Sequence, residues 1–295
     1  MWPAASRPVT KLPAPVRVVV LYSAGHLGSA LIMNRLVEMD EIEVVGVVKA
    51  QPLSFSRQGK SRIRRHLRKV GWRFAWLLIF QRAIQGIGYG LSLLMPAARK
   101  RLLPAWKIAS EHDIPVYATR DINAPESVEF VRQCKPDLLL SAYFSQLLKR
   151  EIIHSAPSGV LNIHPGWLPA YRGAMAYFWV LHNHSEHGGV TLHWIDEGID
   201  TGEIIERRSF QIPHNATQET VLTLTAVIGA GLLRRVIHRL QEGKPRQAVE
   251  PQSPADQQDY YPMPGDREFA SYFEQHRFFR IRDVLGLIAF RGLRR

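Results

Sequence analysis

Apolar residues along this chain fall into short β-branched runs separated by stretches with helical spacing. That alternation predicts strands and helices in turn. Val16-Arg17-Val18-Val19-Val20-Leu21-Tyr22 reads as a buried first strand. Ser23-Ala24-Gly25-His26-Leu27-Gly28-Ser29 then turns into a helix through Leu31, Met33 and Leu36. The turn is similar to a dinucleotide fingerprint lacking its first glycine. It can be a helix N-terminus facing an anion or simply a tight strand-to-helix turn. Further strands are predicted over 42–48, 136–142, 160–164 and 190–195, and helices over 173–184 and 215–242. Asn123-Ala124-Pro125-Glu126 has capping-box spacing and predicts a helix to about Gln133. The whole reads as α/β: a Rossmann-like, mostly parallel sheet with ligands beyond the carboxyl ends of its strands.

One stretch, residues 56–107, breaks the alternation. It opens with Arg62, Arg64, Arg65, Arg68, Lys69 and Arg73, runs apolar from Phe74 to Met95, and closes with Arg99, Lys100 and Arg101. Arg82, flanked by Gln81 and Gln85, interrupts the apolar run and argues against a bilayer span. An interfacial helix, with Trp72 and Trp76 near one edge, fits the basic–apolar–basic layout. A helical insertion packed on the domain with solvated arginines and a nucleic-acid contact remain open alongside it.

Composition adds bounds. The 295 residues, 46% hydrophobic and 22% charged, suit one large domain with a small appendage. The net charge of +12 exceeds what an enzyme for small molecules needs. It points to nucleic acid, anionic lipid or a phosphorylated substrate, unless it is only surplus surface arginine. The single cysteine, Cys134, excludes an internal disulfide and suits a reducing, cytoplasmic compartment. No Cys/His cluster has zinc spacing, so no metal is expected. Residues 1–15, rich in Pro and Ala, are expected to be a disordered lead-in rather than a signal peptide. Beyond Gly243 the chain is Pro/Gln/Asp-rich, then carries Tyr260-Tyr261-Pro262 and a basic–aromatic tail.

The candidate chemistry sits at strand ends. Asn162 and His164, two residues apart on a predicted strand, share one face. An amide can hold a developing oxyanion, an imidazole can move protons near neutral pH, and a carboxylate can orient that imidazole. Lone histidines such as His26, His112, His182 and His184 are read as structural. Three stretches together, Leu161-Asn162-Ile163-His164-Pro165, Leu168-Pro169-Ala170-Tyr171-Arg172-Gly173 and Gly189 to Gly202, resemble the folate-dependent formyltransferases. That family includes methionyl-tRNA, glycinamide ribonucleotide and sugar N-formyltransferases. Asp200 follows Asn162 by 38 positions, a spacing typical of the family.

The resemblance implies a formyltransferase fold over 16–212 with an insertion at about 56–107 and a helical C-terminal appendage over 213–295. It implies an enzyme with 10-formyltetrahydrofolate as co-substrate and Asn162, His164 and Asp200 as catalytic residues. It implies a folate site shaped by Phe144, Ser145, Gln146, Leu147 and Leu148 and by Ile195, Asp196, Glu197, Gly198 and Ile199. Asp196 is the less favoured carboxylate. His193 matches a histidine of some members, or is a half-buried strand residue. For the acceptor, Phe178-Trp179 after Arg172-Gly173 looks most like the sugar enzymes. The residues after 212 show no pattern suited to the second, barrel-like domain of the methionyl-tRNA enzymes. The first turn lacks the phosphate-gripping run of the glycinamide ribonucleotide enzymes. An amino sugar on a nucleotide or lipid carrier is therefore expected. A tRNA acceptor is the alternative, because the basic insertion falls where the tRNA enzymes contact the acceptor stem. A catalytically idle protein binding RNA or membranes is another. An anionic membrane surface met through 56–107 is a further expected partner.

Overall fold

A computed structural model describes residues 11–51, 103–243 and 260–276, residues 280 and 283, and parts of 71–94. The basic runs flanking the insertion, residues 1–10, the stretch 244–259 and the last twelve residues lie outside the described residues.

Seven strands form one sheet: β1 (Val16–Ser23), β2 (Ile42–Ala50), β3 (Val116–Thr119), β4 (Leu138–Ala142), β5 (Val160–His164), β7 (His187–Trp194) and β8 (Ile204–Gln211). Their spatial order is β3-β2-β1-β4-β5-β7-β8. The first five are parallel, while β7 runs antiparallel to both β5 and β8. β1 lies near the centre, and its Val-rich run is buried on both faces, as a parallel strand covered by helices requires. Chain order reverses between β1 and β4, which opens a crevice beyond their carboxyl ends.

Helices cover both faces. The core against one face includes Leu31, Ile32 and Leu36 of α1 (Leu27–Leu36), Ile108 of α2 (Ala105–Glu111) and Leu233 and Ile237 of α6 (Gln218–Gln241). The core against the other includes Val128 and Val131 of α3 (Pro125–Gln133) and Ile152 of α4 (Arg150–Ile153). α6 is the one described helix long and apolar enough to cross a membrane, yet it is a core helix whose inner side is buried against β5 and β7. A third apolar cluster joins α5 (Ala176–His182), the start of α6 and α7 (Asp266–Gln275).

The observed elements depart from the expected ones in four places. Leu12 is buried and its N–H bonds to the Leu240 carbonyl at 3.2 Å, so ordered packing begins before Pro15. α3 has Ala124, not Asn123, at its N-cap, with no side-chain cap. Asn123 is used elsewhere: Nδ2 donates to the Leu147 carbonyl and Oδ1 accepts from the Lys149 N–H. The helix expected from Gly173 starts only at Ala176, because Arg172–Gly173 (β6) pairs with Tyr260–Tyr261 (β9) in a small second sheet. Gly173 has φ +102°, and a Cβ there would collide with the Tyr261 carbonyl, so only glycine permits this approach. Lastly, β8 is a full strand that the apolar pattern did not announce.

α6 approaches β5 through Gly229, where a Cβ would lie 2.5 Å from Cγ2 of Ile163. Gly229→Leu is expected to lift the helix from the sheet and cost about 1–3 kcal/mol, the usual range for overpacking. Chemical denaturation measures this, and an unchanged midpoint would show that α6 is not seated as described.

Candidate active site

A cavity of about 560 Å³ lies in the crevice beyond the strand ends. That volume is within the usual range for small-molecule sites. The β1–α1 turn lines it through Ser23 to His26, and the segment after β4 through Tyr143 to Leu148. The turn is set by Gly25 at φ +79°. Gly28 is required by packing, since a Cβ there would lie 2.6 Å from the Tyr143 ring.

At the inner wall, β5 and β7 bring Asn162, His164 and His193 together. Asn162 Nδ2 lies 3.0 Å from His193 Nε2. His193 Nδ1 lies 2.9 Å from the Trp194 carbonyl, which can only accept. His193 therefore carries its proton on Nδ1, and its Nε2 accepts from the Asn162 amide. One Asn162 N–H is thus fixed, and the other is left for a ligand. His164 is arranged the other way round. Its Nε2 lies 2.6 Å from the Tyr171 carbonyl and must be the donor, leaving Nδ1 as the basic nitrogen.

Asp200 stands between the two rings. Its Oδ2 is 3.5 Å from His164 Nδ1, and its Oδ1 is 3.5 Å from His193 Nε2. Its backbone has φ +51°, and the loop is held by the expected Arg172-Gly173. The Gly173 N–H donates to Asp200 Oδ2 at 2.9 Å, while the buried Arg172 guanidinium donates to the Ile199 carbonyl at 3.1 and 3.3 Å. Burial pushes the Asp200 pKa up, but the positive charge that His164 and His193 can take on and the Gly173 N–H outweigh it. The carboxyl is held well below the usual carboxylate range. Burial pulls the His164 pKa down, reinforced by the neighbouring His193 and only partly opposed by Asp200 and the Tyr171 carbonyl. A neutral imidazole with a fixed tautomer beside an ionised carboxylate is equipped to take up one proton and be stabilised afterwards.

The structure brings Asn162, His164 and Asp200 together. Of the residues expected to shape a folate site, Phe144 to Leu148, Ile195, Asp196, Gly198 and Ile199 line the cavity, and Glu197 does not. Asp196 shapes its own turn, with Oδ1 accepting from the Gly198 N–H at 3.0 Å and the Thr201 hydroxyl at 2.6 Å. Phe178 and Trp179 are core residues of α5 and do not line the cavity. Sequence reasoning undervalued His193, which is buried rather than half-buried, although its two-residue offset from Thr191 and Ile195 on one strand was legible. It also missed His26, read as merely structural, and Leu77, Arg82, Tyr177, Tyr260 and Met263, all of which line the cavity from distant segments. Among the described residues no group of three His, Cys, Asp or Glu could hold a metal.

An amide, two imidazoles and a carboxylate are thus gathered at one end of a mostly parallel sheet. Residues 95–237 match the family model "Formyl transferase". Methionyl-tRNA formyltransferase of Geobacter metallireducens is 34% identical over 140 residues, covering 48% of this chain and 45% of that protein. The enzyme of the same name from Pelobacter propionicus is 34% identical over 158 residues, covering 54% and 48%. The chain thus spans about half the length of the curated relatives it matches. Among solved structures, phosphoribosylglycinamide formyltransferase from Anaplasma phagocytophilum aligns with a TM-score of 0.55 at 15% identity, over 84% of this chain and 98% of that one. A sugar 3N-formyl transferase aligns at 0.50 and 16%, over 85% and 70%. At these identities the structural likeness establishes the fold.

His26 offers a pH test of the cavity wall. Its ring stacks on Tyr143 with centroids 4.8 Å apart, Nε2 lies 3.3 Å from the Tyr177 hydroxyl, and burial lowers its pKa to about 4. In the unfolded chain a histidine titrates near 6.5, so between about 6.5 and 4 the unfolded state binds the extra proton. Stability is complete above that window and falls as pH drops through it, and the depressed His164 acts in the same sense. His26→Gln should flatten the acid side of the melting temperature against pH curve, whereas an unchanged acid side would contradict a ring held neutral below the ordinary histidine range. Separately, Gly173→Ala should break the β6–β9 pair, seen as faster amide exchange at Ala174, whose N–H bonds to the Tyr261 carbonyl at 2.9 Å. Unchanged exchange would mean that the tail does not depend on Gly173.

Proposed function

We propose that this protein transfers the formyl group of 10-formyltetrahydrofolate to a primary amine. The observation that carries the reading is the Asp200 carboxylate set between His164 and His193, beside Asn162, at the wall of a cavity of about 560 Å³. The cavity suits such a donor. Phe144, Ile195 and Ile199 offer apolar surface for a flat ring system, and the extended segment after Tyr143 offers backbone groups at its edge.

In the reaction one C–N bond forms, one breaks, and a proton leaves the incoming amine while one reaches the departing nitrogen. Asn162, its orientation fixed by His193, directs its remaining N–H at the formyl oxygen as negative charge develops there. His164 Nδ1 takes up the proton, Asp200 stabilises the imidazolium, and the imidazolium then gives a proton to the departing nitrogen, which returns the ring to its neutral form. The Gly173 N–H keeps the carboxylate in place.

We assign as acceptor an amino sugar on a nucleotide or lipid carrier. Tyr143, Tyr177 and Tyr260 give the cavity an aromatic side suited to a sugar ring. The relatives favour a second reading, in which the amine is that of methionyl-tRNA, since the similar proteins bear that name. Mass spectrometry of products formed from amino-sugar nucleotides and from methionyl-tRNA, each with 10-formyltetrahydrofolate, separates the two. Formylated sugar supports the first assignment and formylated tRNA replaces it with the second. Formylation of neither, despite a folded protein that binds folate, favours an idle binding protein.

Asn162→Ala and His164→Ala should each lower single-turnover transfer by at least about 100-fold, the usual contribution of such groups, with melting temperatures little changed. Activity within about tenfold of wild type for either would reject the assigned role. Asp200→Asn should lower turnover more than Asp196→Asn. The reverse order would assign the chemistry to the wrong carboxylate.

A further inference from the structure

The segment from Gly71 to Leu94 is built against the cavity. Its described residues are helical. Leu77, only 2% exposed, packs in the cluster of Tyr177, Phe178 and Phe269. Arg73 pairs with Asp266 of α7 at 2.7 Å. Tyr89 and Leu91 pack on the main core, and the Tyr89 ring lies 6.0 Å from that of Trp106. Leu77 and Arg82 both line the cavity.

The same segment turns an apolar face to solvent. Trp72, Trp76, Ile79 and Phe80 are 60%, 61%, 57% and 40% exposed, at the i, i+4, i+7, i+8 spacing of one helix face. Ile87, Leu93 and Leu94 continue the exposure at 62%, 61% and 80%. Scattered apolar residues on a surface need no explanation, but a group including two tryptophans marks an interaction site. Charge selects the partner. The chain carries a net +12, and the sequence flanking this face is basic on both sides, from Arg62 to Lys69 and from Arg99 to Arg101. An apolar face that bears tryptophan between basic flanks is complementary to an anionic lipid interface, where burial and charge act together. RNA would satisfy the basic residues and leave the Trp72–Phe80 face uncovered.

We propose that this face seats the protein on an anionic lipid surface, and that the acceptor amine reaches the cavity from that surface on a membrane-anchored amphiphile. The proposal rests on the formyl-transfer reading and narrows its acceptor to the lipid-carried class. Arg82, which lines the cavity from the docking segment itself, supplies a cation for the anionic linker of such an acceptor. Thus the insertion both anchors the protein and forms part of the acceptor's entrance.

The test uses the full chain with phosphatidylcholine vesicles, with and without phosphatidylglycerol, at low and high salt. A stable 5-formyl folate analogue is titrated in parallel. The protein should sediment with the anionic vesicles, and added salt should weaken this. Trp72→Glu/Trp76→Glu should lower vesicle partitioning at least about tenfold, as expected when two interfacial anchors are removed. Folate binding and melting temperature should be unchanged. Leu93→Glu/Leu94→Glu gives a second variant should the first fail to fold. With an amino sugar on a prenyl phosphate, formylation should be faster in vesicles than for its short-chain counterpart in solution, and the tryptophan variant should lose that advantage. The proposal is overturned if wild type ignores anionic vesicles, if both glutamate variants bind them as wild type does, if transfer RNA competes the protein off them without regard to the tryptophans, or if the soluble counterpart reacts equally well. Failure to bind the folate analogue would instead remove the formyl-transfer reading and leave vesicle binding to stand separately.

Discussion

An ionised carboxylate largely removed from water must be compensated, and in this structure that requirement organises the candidate site. Asp200 has an imidazole 3.5 Å from each oxygen and a backbone N–H at 2.9 Å. A buried charge costs several kcal/mol unless its partners are fixed. The partners here are fixed by the sheet: His193 by the Trp194 carbonyl, His164 by the Tyr171 carbonyl, Asn162 by His193. Each backbone acceptor holds the ring proton on the nitrogen away from Asp200, so the Gly173 N–H is the standing donor to the carboxylate and His164 Nδ1 is left to take up a proton beside it. The chemistry assigned to Asn162 and His164 is therefore a consequence of how β5, β7 and the Asp200 loop are tied together.

That tie extends to segments far away in the chain. Gly173 donates to Asp200 and, through the absence of a side chain, lets Tyr261 pair with it. Tyr171 stacks on Tyr261 with centroids 5.1 Å apart, and the Trp179 indole N–H donates to the Pro262 carbonyl at 3.0 Å. The C-terminal segment is thus a wall of the cavity and a brace for the loop that carries the carboxylate. The insertion joins the same assembly, Arg73 pairing with Asp266 of α7 and Leu77 packing in the cluster that holds Phe269. A site assembled this way depends on both the tail and the insertion.

The sequence made legible what depends on local pattern. The short apolar runs located β1, β2, β4 and β5, and the two-residue period put Asn162 and His164 on one face. The Asn-x-His-Pro and late Asp stretches named residues that the structure brings together. What it hid depends on non-local contact. Asn123 looked like a helix cap but is drawn to Leu147 and Lys149 across the cavity rim. β8 alternates charged and apolar residues too irregularly to read as a strand, yet its edge is fixed by pairing with β7. Phe178 and Trp179 looked like acceptor determinants but serve the α5 core. His193 was readable as a strand residue or as a match to a histidine of some family members, and the contacts that decide between them, with Asn162 and Asp200, are non-local.

The central claim is that Asp200 sits between two imidazoles of opposite, fixed tautomer. Nitrogen-15 NMR of the histidine side chains across pH tests it most directly. His164 should carry its proton on Nε2 and His193 on Nδ1 at neutral pH, and His164 should stay neutral to below the ordinary histidine range, as its burial requires. A His164 bearing its proton on Nδ1, or titrating at the ordinary histidine value, would contradict the account.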